Sequence, residues 1–168
     1  MGYGKRAQNF CKKCGYNISI NDGIGFLFPV VYRETVTKMK NGELGSQAKA
    51  FFEKNPDGAI NCESTLVQCK ECGEYFEAYD LSMYVPKPEN QILDYESDED
   101  SNLQMDYVMP RELEEEYDLY EKFSHHCPKC GGEAEVVDDF FEKLENSELK
   151  CSCCGGELEG EKDVILWD

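Results

Sequence analysis

Apolar and polar residues alternate on either side of a short polar turn near the start of the chain. Tyr16, Ile18 and Ile20 share one face after that turn, so Gln8 to Ile20 is predicted to form strand, turn, strand. A second copy of the pattern runs from Ile60 to Val85. There Leu66-Val67-Gln68 leads into a turn, and Tyr75 to Val85 leads away from it. The intervening stretch changes period. Pro29 suits a first helical turn, Tyr32, Val36 and Met39 fall on one helical face, and Asn41-Gly42 stops the segment. A shorter helix is expected with Ser46 as N-cap, Phe51 and Phe52 buried, and Asn55-Pro56-Asp57-Gly58 as its end.

Further along, Pro86, Pro88 and the acidic run Asp98-Glu99-Asp100 read as a linker over 86–109. Pro110 then opens a predicted helix over Arg111 to Phe123, with Leu113, Tyr117 and Tyr120 on one side and Glu112, Glu114, Glu115 and Glu116 solvated. The last segment repeats the strand-turn-strand plan. Val136-Val137 extends a hairpin, Asp138 to Leu144 suits one or two helical turns, and the chain returns at Glu148-Leu149-Lys150. Val164-Ile165-Leu166-Trp167 closes as a strand.

The turns carry the chemistry. Each is a Cys-x-x-Cys-Gly element: Cys11/Cys14-Gly15, Cys69/Cys72-Gly73, Cys127/Cys130-Gly131 and Cys151/Cys154-Gly155, using eight of the ten cysteines. Two residues between thiolates let both sulfurs face one point, and the glycine supplies the positive φ of so tight a turn. Two such turns make a tetrahedral site of four thiolates. Four turns therefore predict two metal centres, with zinc as the expected ion. Iron accepts the same four sulfurs and stays open as the alternative.

Paired turns of this kind resemble the knuckles of zinc-ribbon and rubredoxin-like proteins, over about half of the chain; Cys11-Lys12-Lys13-Cys14-Gly15-Tyr16 is similar to the first rubredoxin knuckle. The tandem layout also resembles bacterial proteins that carry two such ribbons. The resemblance implies small antiparallel sheets, each held by a four-cysteine site, one at Cys11, Cys14, Cys69 and Cys72, the other at Cys127, Cys130, Cys151 and Cys154. Pairing in sequence order is also favoured by the residues, because pairing across the chain would require an ordered acidic linker. The expected fold class is thus a small metal-stabilised α+β protein of two zinc-ribbon-like units. One spans 1–85 with a helical insertion at about 22–58, the linker spans 86–109, and 110–168 holds a helix and the second ribbon.

Charge narrows the partners. The formal net charge is -18, and two four-thiolate zinc sites would take it to about -22. Residues 1–85 balance ten basic against ten acidic residues, whereas 86–122 carry net -10 and 123–168 net -8. Such a field repels nucleic acid and anionic membrane surfaces, so a basic protein partner is expected. Within the first segment, a nucleic-acid-associated ribbon remains the alternative, and rubredoxin-like electron transfer is the alternative if iron is bound. No apolar run reaches the length of a membrane span, the first residues lack a signal-peptide core, and cysteines spaced as metal ligands suit a reducing cytoplasm.

Other candidates are weaker. Cys62 reads as a packed or exposed thiol, and Cys153 lies out of frame inside its own turn. His125 and His126 precede Cys127, where four cysteines already fill the site, so a supporting or surface role is expected. Lys5, Arg6, Lys12 and Lys13 form the one basic cluster. Asp94 to Asp100 lacks the spacing of a calcium loop. Gly23 to Pro29 is the densest apolar stretch and reads as core for the inserted helices or, where exposed, as a protein-binding patch. No nucleophile–base set is recognisable, which favours a non-catalytic module.

Overall fold

The computed structural model describes residues 3–91 and 106–165. In chain order the elements are β1 (Tyr3–Phe10), β2 (Asn17–Ile24), α1 (Phe28–Lys40), α2 (Ser46–Lys54), β3 (Ala59–Ile60), β4 (Ser64–Cys69), β5 (Tyr75–Tyr79) and β6 (Met83–Pro86). They continue with α3 (Pro88–Gln91), α4 (Pro110–Glu116), β7 (Tyr117–Glu121), β8 (His125–His126), β9 (Glu133–Val136), α5 (Phe140–Glu145) and β10 (Glu159–Ile165). The result is a small α+β fold with antiparallel sheets.

The chain divides into two compact units, neither continuous in sequence. One gathers the residues up to Phe26, Glu63–Asp80 and those from Ser124 onward; the other takes Leu27–Cys62 and Leu81–Phe123. This differs from the expected split into an N-terminal and a C-terminal ribbon domain. Its cause is long-range strand pairing, to which local sequence pattern is blind.

The first unit is built on one sheet in the order β10-β1-β2-β4-β9-β8, with β5 also paired to β4. β1 and β2 form the predicted hairpin, from Tyr3↔Ile24 down to Phe10↔Asn17. On its other edge β1 pairs with β10 over seven positions, Gly4↔Ile165 to Phe10↔Glu159. The two ends of the described chain therefore lie side by side. β4 pairs with β5 and, at Val67↔Val136 through Cys69↔Ala134, with β9.

Successive strand residues face opposite sides of a sheet, and β4 uses both. Leu66 joins a core with Ala7, Ile20, Phe140, Leu144 and Leu158, which also holds the buried Cys11 and Cys151. The next residue, Val67, joins a separate cluster with Ala134, Cys69 and Cys127.

The second unit holds the helical insertion and the short sheet β3-β6-β7. α1 begins with Pro29 in its first turn and ends at Asn41, with Gly42 at φ +79° beyond it. It buries Phe28, Tyr32, Thr35 and Met39. In α2, Phe51 and Phe52 are buried as expected, but Ser46 is the first helical residue and not the cap. Gly45, at φ +100°, takes the cap position without a side-chain bond. The helix expected over Arg111 to Phe123 stops at Glu116, and Tyr117–Glu121 forms β7 against β6. Aromatic residues suit either state; an available strand edge decides for β here. Within the expected linker, Pro88–Gln91 is a short helix and the Tyr107 ring meets Phe28 edge-on at 6.1 Å. The acidic run Asp94 to Asp100 lies outside the described residues, as do Leu166 and Trp167 of the expected closing strand. Among the described residues no helix is long and apolar enough to cross a membrane.

Leu66 is 1% exposed at the centre of the first unit's core, so Leu66→Ala is expected to destabilise the protein by roughly 2–5 kcal/mol. Leu119, 51% exposed on β7, should change stability by less than about 0.5 kcal/mol when replaced by Ala. Denaturant titrations followed by circular dichroism check both.

Candidate metal centres

Each Cys-x-x-Cys-Gly turn closes with the same two backbone bonds. The glycine N–H donates to the first cysteine's carbonyl: Gly15 to Cys11 at 2.9 Å, Gly73 to Cys69 at 3.2 Å, Gly131 to Cys127 at 2.9 Å and Gly155 to Cys151 at 3.0 Å. The first cysteine's N–H donates in turn to the carbonyl of the residue after the glycine, namely Tyr16, Glu74, Gly132 or Gly156, at 2.6–2.9 Å. All four glycines have φ between +73° and +78°. A Cβ added at any of them would meet nothing within 4 Å, so backbone conformation and not space demands glycine there.

Strand register decides which turns meet. β1 runs directly into Cys11 and β10 follows the Cys151–Cys154 turn, so the ladder ending at Phe10↔Glu159 sets those two turns together. Likewise β4 ends at Cys69 opposite Ala134 of β9, which follows the Cys127–Cys130 turn. The groups are therefore Cys11, Cys14, Cys151 and Cys154, and Cys69, Cys72, Cys127 and Cys130, with the sulfurs of each group within 4.8 Å of one another. This corrects the pairing expected from sequence order. An outer pair of turns encloses an inner pair, and both groups belong to the first unit.

Within each group the sulfurs alternate between turns. Cys11 Sγ lies 3.5 Å from Cys154 Sγ and Cys14 Sγ 3.5 Å from Cys151 Sγ. In the other group the Cys69–Cys130 and Cys72–Cys127 separations are 3.5 and 3.7 Å. A tetrahedron with metal–sulfur arms of about 2.3 Å has edges of about 3.8 Å, so either group could hold an ion with small adjustment. Cys11, Cys69, Cys127 and Cys151, the first cysteine of each turn, are buried, and the second lies nearer the surface.

Backbone amides point at the sulfurs. Cys69 Sγ accepts from the N–H groups of Glu71 and Cys72, both at 3.4 Å, and Cys127 Sγ accepts from Lys129 at 3.4 Å. Cys151 Sγ accepts from Cys153 at 3.3 Å, while Cys130 and Cys154 accept from Gly132 and Gly156 at 3.4 Å. Such donors favour the anionic sulfur that a metal requires. The Cys14 N–H, with further donors from Lys13, Cys154 and Cys14, overcomes desolvation and draws the Cys11 thiol down to about 7. The Cys72 and Glu71 amides, with the Cys130 and Cys72 thiols, draw Cys69 down to about 6. Cys14 and Cys130 go the other way. The amides of Tyr16 and Gly132 pull on them, but desolvation and bonds to neighbouring sulfurs prevail and push both up to about 12.

The remaining candidates fall outside both groups. Cys62 is buried in the second unit, its thiol 3.8 Å from Thr35 Oγ1, and burial pushes it up to about 11. Cys153 is exposed and contributes its amide to Cys151. His125 is buried with Nε2 2.9 Å from the Asp80 carbonyl oxygen, and burial lowers its pKa; His126 is exposed. In the basic cluster, Lys12 pairs with Glu159 at 2.9 Å and Arg6 donates to Asn21 at 3.0 Å. Along the apolar stretch, Ile24 and Phe28 are buried, whereas Phe26 and Leu27 are 47% and 55% exposed. Sequence reading missed the roles of Glu74 and Tyr75. The signal was present, since the residue after the glycine carries a side chain in the first two turns and is a second glycine in the others.

No protein-family model matches the chain, and comparison with curated proteins and with solved structures finds no significant similarity. Fold and site thus define the class only as a small α+β protein with two tetracysteine groups of zinc-ribbon-like spacing.

Mild oxidation provides a metal-free check on the grouping. Disulfides formed between turns should join peptides bearing Cys11 or Cys14 to those bearing Cys151 or Cys154. A map joining Cys11 or Cys14 to Cys69 or Cys72 would contradict the nested arrangement.

Proposed function

We propose that each tetracysteine group holds one zinc ion, that all eight cysteines are ligands, and that the ions are structural parts of a non-catalytic protein-interaction module. The observation that carries this reading is the grouping itself, four sulfurs within 4.8 Å of one another, with two contacts of 3.5–3.7 Å between turns in each group and amides directed at them. Four protein thiolates complete a tetrahedron and leave no position for water or substrate, which is the mark of a structural rather than a catalytic zinc. Bound zinc would fasten β1 to β10 and β4 to β9, so that metal affinity becomes folding free energy.

Charge supports a basic protein as partner. The first unit has nine basic and eighteen acidic residues, net -9, and two zinc tetrathiolates would add about -4. Phosphate backbones would be repelled by that field, which sets nucleic acid second.

Stoichiometry tests both the metal and its ligands. Elemental analysis of untagged protein is expected to return two zinc ions per chain; a coloured protein with iron would instead favour electron transfer. Cys14→Ser with Cys154→Ser should lose one ion, because both substitutions strike one group. Cys14→Ser with Cys72→Ser should lose two. The reverse result would mean sequential pairing.

Acid is expected to release the metal. The folded-state values of Cys11 and Cys69, about 7 and about 6, lie below the ordinary 9.0, so the unfolded chain binds more protons between these limits. Their contribution is full above about 9 and is lost as pH falls through about 7 and 6. Protons compete with zinc for all eight thiolates, so zinc affinity, followed with a chromogenic chelator, should fall from pH 8 to 5, and an unchanged affinity would oppose thiolate ligation.

A further inference from the structure

Tyr16 and Glu74 occupy the same position in turns that belong to different groups. Each follows the turn glycine, and each accepts the first cysteine's N–H through its carbonyl: Cys11 to Tyr16 at 2.8 Å and Cys69 to Glu74 at 2.9 Å. Each also directs its own amide at the second cysteine's sulfur, Cys14 or Cys72. Their side chains then meet. The Tyr16 hydroxyl donates to Glu74 Oε1 at 2.9 Å. A continuous chain of bonds thus runs from the Cys14 sulfur through Tyr16 and Glu74 to the Cys72 sulfur.

Two further contacts fix that chain. Glu74 Oε2 lies 3.3 Å from Lys129 Nζ, which stands in the other turn of its own group, and the Glu74 side chain is only 23% exposed. The neighbouring Tyr75 is 4% exposed, and its hydroxyl donates to the Lys150 carbonyl oxygen at 2.9 Å, one residue before Cys151. Adjacent residues at the exit of the Cys69–Cys72 turn therefore hold both turns of the outer group, one through Tyr16 and one through Lys150.

We propose that Glu74 and Tyr75 are positioning residues that link the two centres, so that filling either group with zinc orders the turns of the other and raises its affinity. This rests on the reading that both groups bind zinc. The physical basis is preorganisation. A loaded inner group immobilises the Cys69–Cys72 turn, and the hydroxyl bonds of Tyr16 and Tyr75 then hold the outer turns near the geometry zinc demands. By reciprocity the outer group acts equally on the inner one.

Native mass spectrometry of the full chain with one equivalent of zinc reads this directly. Equal, independent centres leave half of the chains singly loaded, whereas a ten-fold linkage leaves about a quarter. The parent chain is expected near the lower figure. Tyr16→Phe, Tyr75→Phe and Glu74→Ala should each raise the singly loaded share, and Tyr16→Phe with Tyr75→Phe should bring it to half or above. Glu74→Gln, which keeps an acceptor for the Tyr16 hydroxyl, should stay close to the parent. A purely structural role would weaken both centres together and leave the distribution unchanged. The proposal is overturned if the double variant and Glu74→Ala load as the parent does, or if Glu74→Gln behaves as Glu74→Ala. Failure of the zinc reading looks different, since no two-zinc chain would then form at saturating metal.

Discussion

The pairing of β1 with β10, the first and last described strands, is the constraint from which the first unit follows. β1 and β10 pair over seven positions, and their shared end delivers two cysteine turns to one point. Closing Cys14 on Cys151 spans 137 residues, and closing Cys72 on Cys127 spans 55. Sequential pairing would instead close 55 and 21 residues. The equal inner loops cancel, and lengthening the other from 21 to 137 residues costs roughly 2 kcal/mol in closure entropy. That is a small penalty. A seven-position ladder over a core containing Leu66, Leu144 and Leu158 outweighs it readily.

What could be read from the sequence was local. Each turn, the hairpin through Cys11 and Cys14, and α1 (Phe28–Lys40) depend on residues within a few positions of one another, and the pattern exposes them. Which turn meets which depends on distant strands, paired at Phe10↔Glu159 and at Cys69↔Ala134, 149 and 65 residues apart. The same limit explains β7. Tyr117 and Tyr120 satisfy a helical spacing, and only the edge of β6 makes the strand the better state. At Ser46 the limit is finer, because a glycine with positive φ already turns the chain at Gly45 and leaves no vacancy for a side-chain cap.

Nesting also changes what the inserted segments are. An insertion between two halves of a closed ribbon would be an appendage to one site. Here Leu27–Cys62 and Leu81–Phe123 together form a unit with its own buried residues, among them Tyr32, Met39, Phe51, Ile60 and Met83, while both tetracysteine groups lie in the other. The chain leaves and re-enters the unit that carries the tetracysteine groups twice. Both tetracysteine groups and the two longer helices, α1 and α2, are thereby assigned to separate units.

Within the first unit, the turns repeat in backbone but not in side chain. All four offer amides to sulfur and close through the residue after glycine, a local design that needs no tertiary contact. Tyr16 and Glu74 add something that the glycines at 132 and 156 cannot, a side chain at the one turn position whose backbone already serves both cysteines. A hydroxyl and a carboxylate there convert two separate turns into one bonded path.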